Sequence, residues 1–329
     1  MLDFHVVIAG DAFASSVAIT RDVLATAAAL APRIGTPTPS WGMFSLDGGP
    51  VRLQGGFTVE TRRLPRASGP GRATWILPGL GFATRKELLA RVQREDAQRL
   101  ARQIAAHVRG GGEVAASCSA VFLLQQAGVL AGRRATTFWL LAPVLAQLEP
   151  RCTVDADRIV ISDRGVTSAG ASFAHSDLML HLLRQRFGAK LCEAVSRMLL
   201  LDGRLAQSTF VIPEMFASGD ELVARLADRV EASLPDSPSV AQLAAEFCMS
   251  ERTLARRVRV ATGASTSHLV QGVKLRRART LLENSRLSVD QVAAAVGYQD
   301  ATALRRLMRK AAGANPSSFR HHGRETAHG

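Results

Sequence analysis

The sequence predicts an α/β domain with a mainly parallel sheet and helices on both faces, followed by a smaller all-α domain. Three observations carry that reading. Short apolar, strand-like runs alternate with helix-like runs as far as about Leu205, and from Asp220 onward no strand-like run competes with the helices. The charge divides near the same place. The chain holds 41 Lys+Arg and 28 Asp+Glu; Pro238 to the C-terminus holds 15 and 6 of them, a net of +9, and the first 237 residues hold 26 and 22, a net of +4. Finally, 329 residues exceed the usual range of one domain, and 47 % hydrophobic with 21 % charged residues is ample for a buried core.

In chain order, Phe4 to Ala9 is an apolar run suited to a buried strand, and Ser15 to Leu30 reads as an Ala-rich helix. Ala73 to Leu77 is a second strand run, stopped by the Pro78-Gly79-Leu80-Gly81 turn signal. Lys86 to Val108 has helical periodicity and ends at Gly110-Gly111-Gly112. Val114 to Ser117 is a short strand leading into Cys118, with Ser119 to Ala127 continuing as helix. Arg158 to Thr167 resembles a hairpin, and Ser172 to Phe187 is a long apolar helix. A connector containing Pro213 and Gly219 follows. The remaining helices are Glu221–Ser233, Val240–Phe247, Glu251–Ala261, Ser265–Asn284, Val289–Val296 and Ala301–Ala312.

Composition narrows the function. A sequence pI near 11.0 makes a polyanion the first partner to test. No stretch approaches eighteen consecutive apolar residues, so no membrane span is expected, and the opening MLDFHVVIAG lacks the layout of a secretory signal. The cysteines (Cys118, Cys152, Cys192, Cys248) form no CxxC pair, which argues against a zinc site or redox motif; no metal and no cofactor are expected, and a reduced cytoplasm fits. A GC-rich coding bias would also raise arginine content, but it would not set charges at fixed offsets within helices.

Those offsets are plain in Val240 to Val258. The first helix places Val240, Leu243, Ala244 and Phe247 on one face, and Ser250 is a natural N-cap for the next. There Leu254 and Val258 share an apolar stripe while Arg252, Arg256 and Arg259 point elsewhere. Apolar residues that dock a helix, opposite guanidinium groups that reach base edges and phosphates, are what a major-groove reader needs. The pattern recurs in Ser288 to Lys310, with a turn at Gly297 and a second helix carrying Arg305, Arg306, Arg309 and Lys310. The long helix between holds Lys274, Arg276, Arg277 and Arg279. The bland alternative is a solvated basic face on a helical bundle. Two tandem units weigh against it.

Residues 220–322 resemble the AraC/XylS DNA-binding domain, two helix-turn-helix units joined by a long helix. The resemblance rests on Leu243-Ala244, Met249 to Arg257, Thr262-Gly263, Arg276 to Ala278, Leu281-Leu282, Val292-Ala293, Val296 to Tyr298, Arg305-Arg306, Gly313, Pro316 and Phe319-Arg320. It implies that Arg252 and Arg256 face bases in the first unit and Thr302 and Arg306 in the second. Ser250, Thr253 and Arg305 are further DNA-contact candidates, with Lys274 and Arg277 as weaker phosphate contacts. The second unit has Leu304 and Met308 where the family usually places Phe; both are apolar, so packing should survive with a looser fit.

In the first domain, a strand, a sharp turn at Cys118 and a helix make an enzyme-like elbow, with small Ala116 and Ala120 two residues to either side. A cysteine at a helix N-terminus is favoured as thiolate, hence a candidate nucleophile. The same spacing suits a buried structural cysteine. The region from Phe4 to Leu205 resembles the class I glutamine amidotransferase-like (PfpI-type) domain that precedes AraC domains in the GlxA group of regulators, which implies a flavodoxin-like fold. The elbow, Gln126 to Thr137, Thr167 to Gly170 and Asp177-Leu178 carry the resemblance. In relatives with a plausible dyad a His follows the Thr-Thr pair. Here Phe138 stands there, Ala120 replaces the usual Gly, and a thiol without its base loses the activation hydrolysis needs. The expected role is therefore a catalytically idle ligand sensor or dimerisation module.

Other pocket candidates are Gly79 in the turn after the second strand, Asp11 with Ser15 and Ser16 after the first, where open α/β sheets bind ligands, and His175 and Asp177 at the start of the apolar helix. Capping and core hydrogen bonding compete for that last pair. The implied organisation is a sensor domain over 1–205, a connector over 206–219, the DNA-binding domain over 220–322 and a tail over 323–329. The implied protein is a sequence-specific transcriptional regulator whose partners are a double-stranded operator, a small-molecule effector, a second copy of the chain, and RNA polymerase if it activates. Its rivals are an active cysteine hydrolase using Cys118 and a scaffold binding DNA without specificity.

Overall fold

The first apolar run is the centre of an eight-stranded sheet, because both of its faces are covered by helices. Strands β1 (Phe4–Val7), β2 (Trp41–Ser45), β3 (Gly49–Arg52), β4 (Thr58–Arg63), β5 (Thr74–Leu77), β6 (Val114–Ser117), β9 (Val160–Asp163) and β10 (Val166–Ala169) stand in the order β3-β4-β2-β1-β5-β6-β10-β9. The inner pairs are parallel and only the outermost, β3 with β4 and β9 with β10, are antiparallel. Two-residue strands β7 (Arg134–Ala135) and β8 (Thr153–Val154) form a separate parallel pair. The computed structural model describes residues 2–65, 73–82, 84–201, 221–262, 265–285 and 287–312, and the chain divides into two units, Met1–Arg204 and Leu205–Gly329. The connector expected over 206–219, the tail over 323–329, and Gly263, Gly313, Pro316, Phe319 and Arg320 lie outside the described residues.

The period of two along each strand sorts side chains into two cores. Val7, Trp75, Leu77, Val114 and Ala116 face helices α3 (Glu95–Arg109), α4 (Val121–Gln126) and α5 (Ala142–Leu148). Phe4, Val6, Ile8, Ile76 and Ala115 face α1 (Ala14–Ile34), α6 (Ala174–Phe187) and α7 (Ala189–Met198). By length and hydropathy α1 is the one described helix that could cross a bilayer, yet its Val17, Val23, Leu24, Ala27 and Ala31 pack into this second core. The hairpin expected over Arg158 to Thr167 is β9–β10. The single helix expected over Lys86 to Val108 is broken into α2 (Arg85–Val92) and α3: Arg94 turns extended, and Arg91 holds the corner through Asp96 at 2.8 Å.

The second unit is helical throughout its described residues: α8 (Glu221–Ala232), α9 (Val240–Glu246), α10 (Glu251–Thr262), α11 (Thr266–Asn284), α12 (Val289–Ala295) and α13 (Ala301–Ala312). The long α11 packs against α8, α10, α12 and α13 and so ties the two helix pairs together. Both α9 and α12 open with a complete capping box, Ser239 with Gln242 and Ser288 with Gln291. Leu304 and Met308 are buried with Val292, Val296 and Ala301, so the departure from Phe leaves the second core filled.

Candidate nucleic-acid interface and a closed cysteine elbow

Helix α10 separates its two faces as the spacing requires. Leu254 and Val258 are fully buried, and Arg252, Arg256 and Arg259 are exposed. Helix α13 repeats the arrangement, with Ala301, Leu304 and Met308 buried and Thr302, Arg305 and Arg306 exposed. Ser250 caps α10: its Oγ accepts the Thr253 N–H at 3.2 Å and shares a hydrogen bond with the Thr253 hydroxyl at 2.9 Å. Both side chains are thus engaged within the protein. Asp300 caps α13, its Oδ1 accepting the Ala303 N–H at 2.9 Å. That bond leads the causes holding the Asp300 carboxyl below its usual range; the Thr302 hydroxyl and the nearby Arg306 charge add to it.

The two weaker phosphate candidates sit differently. Lys274 is half-buried, its ammonium 5.4 Å from the centre of the Tyr298 ring, and burial lowers its pKa. Arg277 is exposed but lines a cavity of about 490 Å³ whose wall includes Asp228 and Glu231. Its neighbour Arg276 donates to Glu231 at 2.6 Å. The basic charge of α11 is therefore partly taken up inside the unit. Sequence reasoning missed Asp300 as a cap, although an Asp just before the helix and three residues ahead of Ala303 is an ordinary start signal.

At the C-terminal end of β6 the backbone turns through Cys118 in the left-handed region, φ 54, and a short 3-10 turn leads into α4. The turn is held tightly. The Thr137 hydroxyl donates to the Cys118 carbonyl at 2.7 Å; the Ser119 hydroxyl donates to the Leu80 carbonyl at 2.6 Å and accepts the Leu80 N–H at 2.7 Å. Gly79 lies against it, since a Cβ there would stand 3.2 Å from that of Cys118. Ala116 and Ala120 are fully buried, as the elbow demands.

Cys118 is 3 % exposed. The helix position predicts a favoured thiolate, but burial dominates and pushes the thiol pKa up, against the lowering contacts from Ser172, whose Oγ lies 3.8 Å from Sγ, and from Ser119. Cys118 is a protonated thiol at neutral pH. Phe138 is half-buried against the same core, edge-on to Trp139. Ser172 and Ser119, which help hold the elbow, are common small polar residues without a distinguishing spacing; Thr137 belongs to the Thr-Thr pair before Phe138, but its bond to the Cys118 carbonyl is not signalled by the sequence.

The expected pocket rim at His175 is corrected. His175 is fully buried, its Nδ1 2.8 Å from the Ser117 hydroxyl and its Nε2 2.6 Å from that of Thr20, and desolvation lowers its pKa to about 4. Both ring nitrogens are occupied, so it is a neutral cross-link between α1, β6 and α6 and cannot serve as a base for Cys118. Asp177 is buried, and Ser16 is buried at the start of α1 with Thr20 donating to its carbonyl. Ser15 is exposed. Asp11, in the left-handed region at φ 65, presents its carboxylate to Arg91 at 3.4 Å and Arg94 at 3.7 Å. The structure therefore joins Gly79 to Cys118 and distributes the other candidates between core and surface.

Comparison with known proteins matches each unit separately. Residues 243–322 match a family described as a helix-turn-helix domain, and residues 89–185 match the DJ-1/PfpI family. The HTH-type transcriptional regulator CdhR of Pseudomonas aeruginosa is 28 % identical over 287 residues, 85 % of this chain and 81 % of that protein. The HTH-type transcriptional regulator GlxA of Rhizobium meliloti is 26 % identical over 218 residues, 64 % of this chain and 66 % of that one. Among solved structures, an AraC family transcriptional regulator from Pseudomonas putida aligns over 60 % of this chain and all of its own, with 22 % identity and a TM-score of 0.48.

Proposed function

We infer, for a chain that joins a DJ-1/PfpI domain to an AraC-type helix-turn-helix domain, that it is a DNA-binding transcriptional regulator whose first unit is a sensor. The observation that carries this is the pair of capped helices α10 and α13, each docked by a buried stripe and each exposing an arginine set. Arg252 and Arg256 read one block of bases, Thr302 and Arg306 the other; Arg305, Lys274 and Arg277 strengthen the hold on phosphate, and Ser250 and Thr253 fix the start of α10. The resemblance to CdhR and GlxA supports the same reading. It works as a homodimer in the cytoplasm, responds to a small metabolite, and meets RNA polymerase where it activates.

Cys118 does no hydrolysis in this reading, because its thiol is buried and protonated and His175 is turned to Ser117 and Thr20. The left-handed elbow itself favours the rival, a cysteine hydrolase. Thiol-dependent turnover of amide or aldehyde substrates that vanishes in Cys118→Ala would establish that rival. We expect no turnover, and normal DNA binding by Cys118→Ala. The central test is recovery of genomic DNA fragments bound by the full-length protein. A shared motif of two blocks about one helical turn apart supports paired reading helices; binding without a motif that disappears in moderate salt supports phosphate contact alone.

A further inference from the structure

Apart from the elbow, the first unit holds a cavity of about 440 Å³ between α3 and the segment after α4. Its apolar wall includes Ala105, Val108 and Val129, and three arginines line it: Arg102, Arg109 and Arg133. Arg102 and Arg109 are seven residues apart on α3, hence on one face and about 10.5 Å apart along the axis. Among the described residues, no Asp or Glu lines the cavity. Arg102 and Arg109 are exposed and make no ion pair with any described residue, whereas Arg99 on the same helix is paired with Asp47. Arg133 donates Nη1 to the Val129 carbonyl at 2.7 Å, while its Nε is buried without a hydrogen-bond partner. Arg133 also helps hold down the pKa of Asp163, but that carboxylate already accepts from the Arg134 N–H and from Arg164.

Three like charges gathered around one apolar-walled space repel one another, and an anion entering it relieves that repulsion. Guanidinium forks match carboxylate and phosphate oxygens in pairs. The volume falls within the roughly 300–1,000 Å³ of metabolite sites. We propose that this cavity binds a metabolite-sized organic dianion, its two charges on Arg102, Arg109 and Arg133 and a short apolar body against Ala105, Val108 and Val129. Its lining shares no residue with Cys118 or with Leu80, Ser119, Thr137 and Ser172 around the elbow, so this is a second site. It stands independently of the DNA-binding reading.

The test is titration calorimetry on the full-length chain at about 0.15 M salt, where distant exposed charges are screened. The probe is isophthalate, two carboxylates on an apolar ring, with its neutral diamide as control. Saturable binding of isophthalate and none of the diamide are expected. Arg102→Gln and Arg133→Gln should each weaken binding at least about tenfold, whereas Arg256→Ala, which removes a charge from α10, leaves it unchanged. No saturable binding, equal binding of the diamide, or loss in Arg256→Ala with retention in Arg102→Gln would overturn the proposal. The last outcome would assign the anion to the helix-turn-helix unit instead.

Discussion

The two helix pairs of the second unit are built to one plan and differ where the plan meets its neighbours. Ser239 and Ser288 start α9 and α12 with the same capping box, Ser250 and Asp300 cap α10 and α13, and Leu254 and Val258 correspond to Leu304 and Met308 in the buried stripes. In that register Arg252 and Arg256 correspond to Thr302 and Arg306. The turn between helices enters the left-handed region in both, at Cys248 with φ 53 and at Gly297 with φ 76. One turn uses glycine and the other does not. The reason is contact: a Cβ at position 297 would lie 2.1 Å from the Pro235 carbonyl oxygen, whereas Cys248 is exposed. The same backbone conformation thus carries one constraint in the first turn and two in the second.

That asymmetry gives the largest expected effect. Gly297→Ala adds a left-handed strain to a clash with backbone that cannot swing aside, and should destabilise the second unit by about 3 kcal/mol or more. Cys248→Ala keeps the strain already present and should change stability by less than about 0.5 kcal/mol. Amide hydrogen exchange across α12 and α13, compared with α9 and α10, measures both. Similar losses in the two variants would show that the turns are equivalent after all.

The reading positions come next. Arg256→Ala and Arg306→Ala should each relax specificity in a different block of the operator, at one or two base positions, costing about 1–3 kcal/mol where the contact is bidentate to guanine. Binding to a library of operator variants resolves the blocks. A loss equal on all sequences would mean that the arginine holds phosphate only. The smaller Thr302, whose hydroxyl is engaged with Asp300, should contribute less than Arg252, so the second block should be read less stringently than the first.

Much of this repeat was legible because its signals are local: a cap, a stripe at four-residue spacing and arginines between, all within a dozen residues. The parallel sheet was legible from β1, β5 and β6 for the same reason, since each is a short run with three apolar residues of four. What depends on distant contacts was not. Strands β3 and β4, GPVR and TVETRR, are too polar to stand out and are strands because they pair with each other and with β2. The elbow at Cys118 follows from its small neighbours, but its depth does not, and depth decides whether helix dipole or burial sets the thiol. His175 begins a helix, where rim and core are one turn apart; Ser117 and Thr20, 58 and 155 residues away in sequence, place it in the core.

The caps rank third. Ser250→Ala removes the acceptor for a first-turn N–H and should cost about 1 kcal/mol; Asp300→Ala removes the corresponding acceptor at α13 and should destabilise that helix as well. Asp300→Ala should lose more in low salt, because a carboxylate also meets the positive end of the α13 dipole and the Arg306 charge. Unfolding at two ionic strengths separates the hydrogen bond, common to both, from the charge, present only at Asp300. The smallest effect is a gain. Cys248→Gly removes a left-handed strain of about 1–2 kcal/mol and adds about 0.5–1 kcal/mol of unfolded-chain entropy, for a net stabilisation between about 0 and 1.5 kcal/mol. A gain of that size with unchanged operator affinity would show that the cysteine only occupies the turn. A gain accompanied by weaker binding would show instead that the Cys248 side chain helps set the angle at which α10 meets DNA, and the two turns would then differ in function as well as in packing.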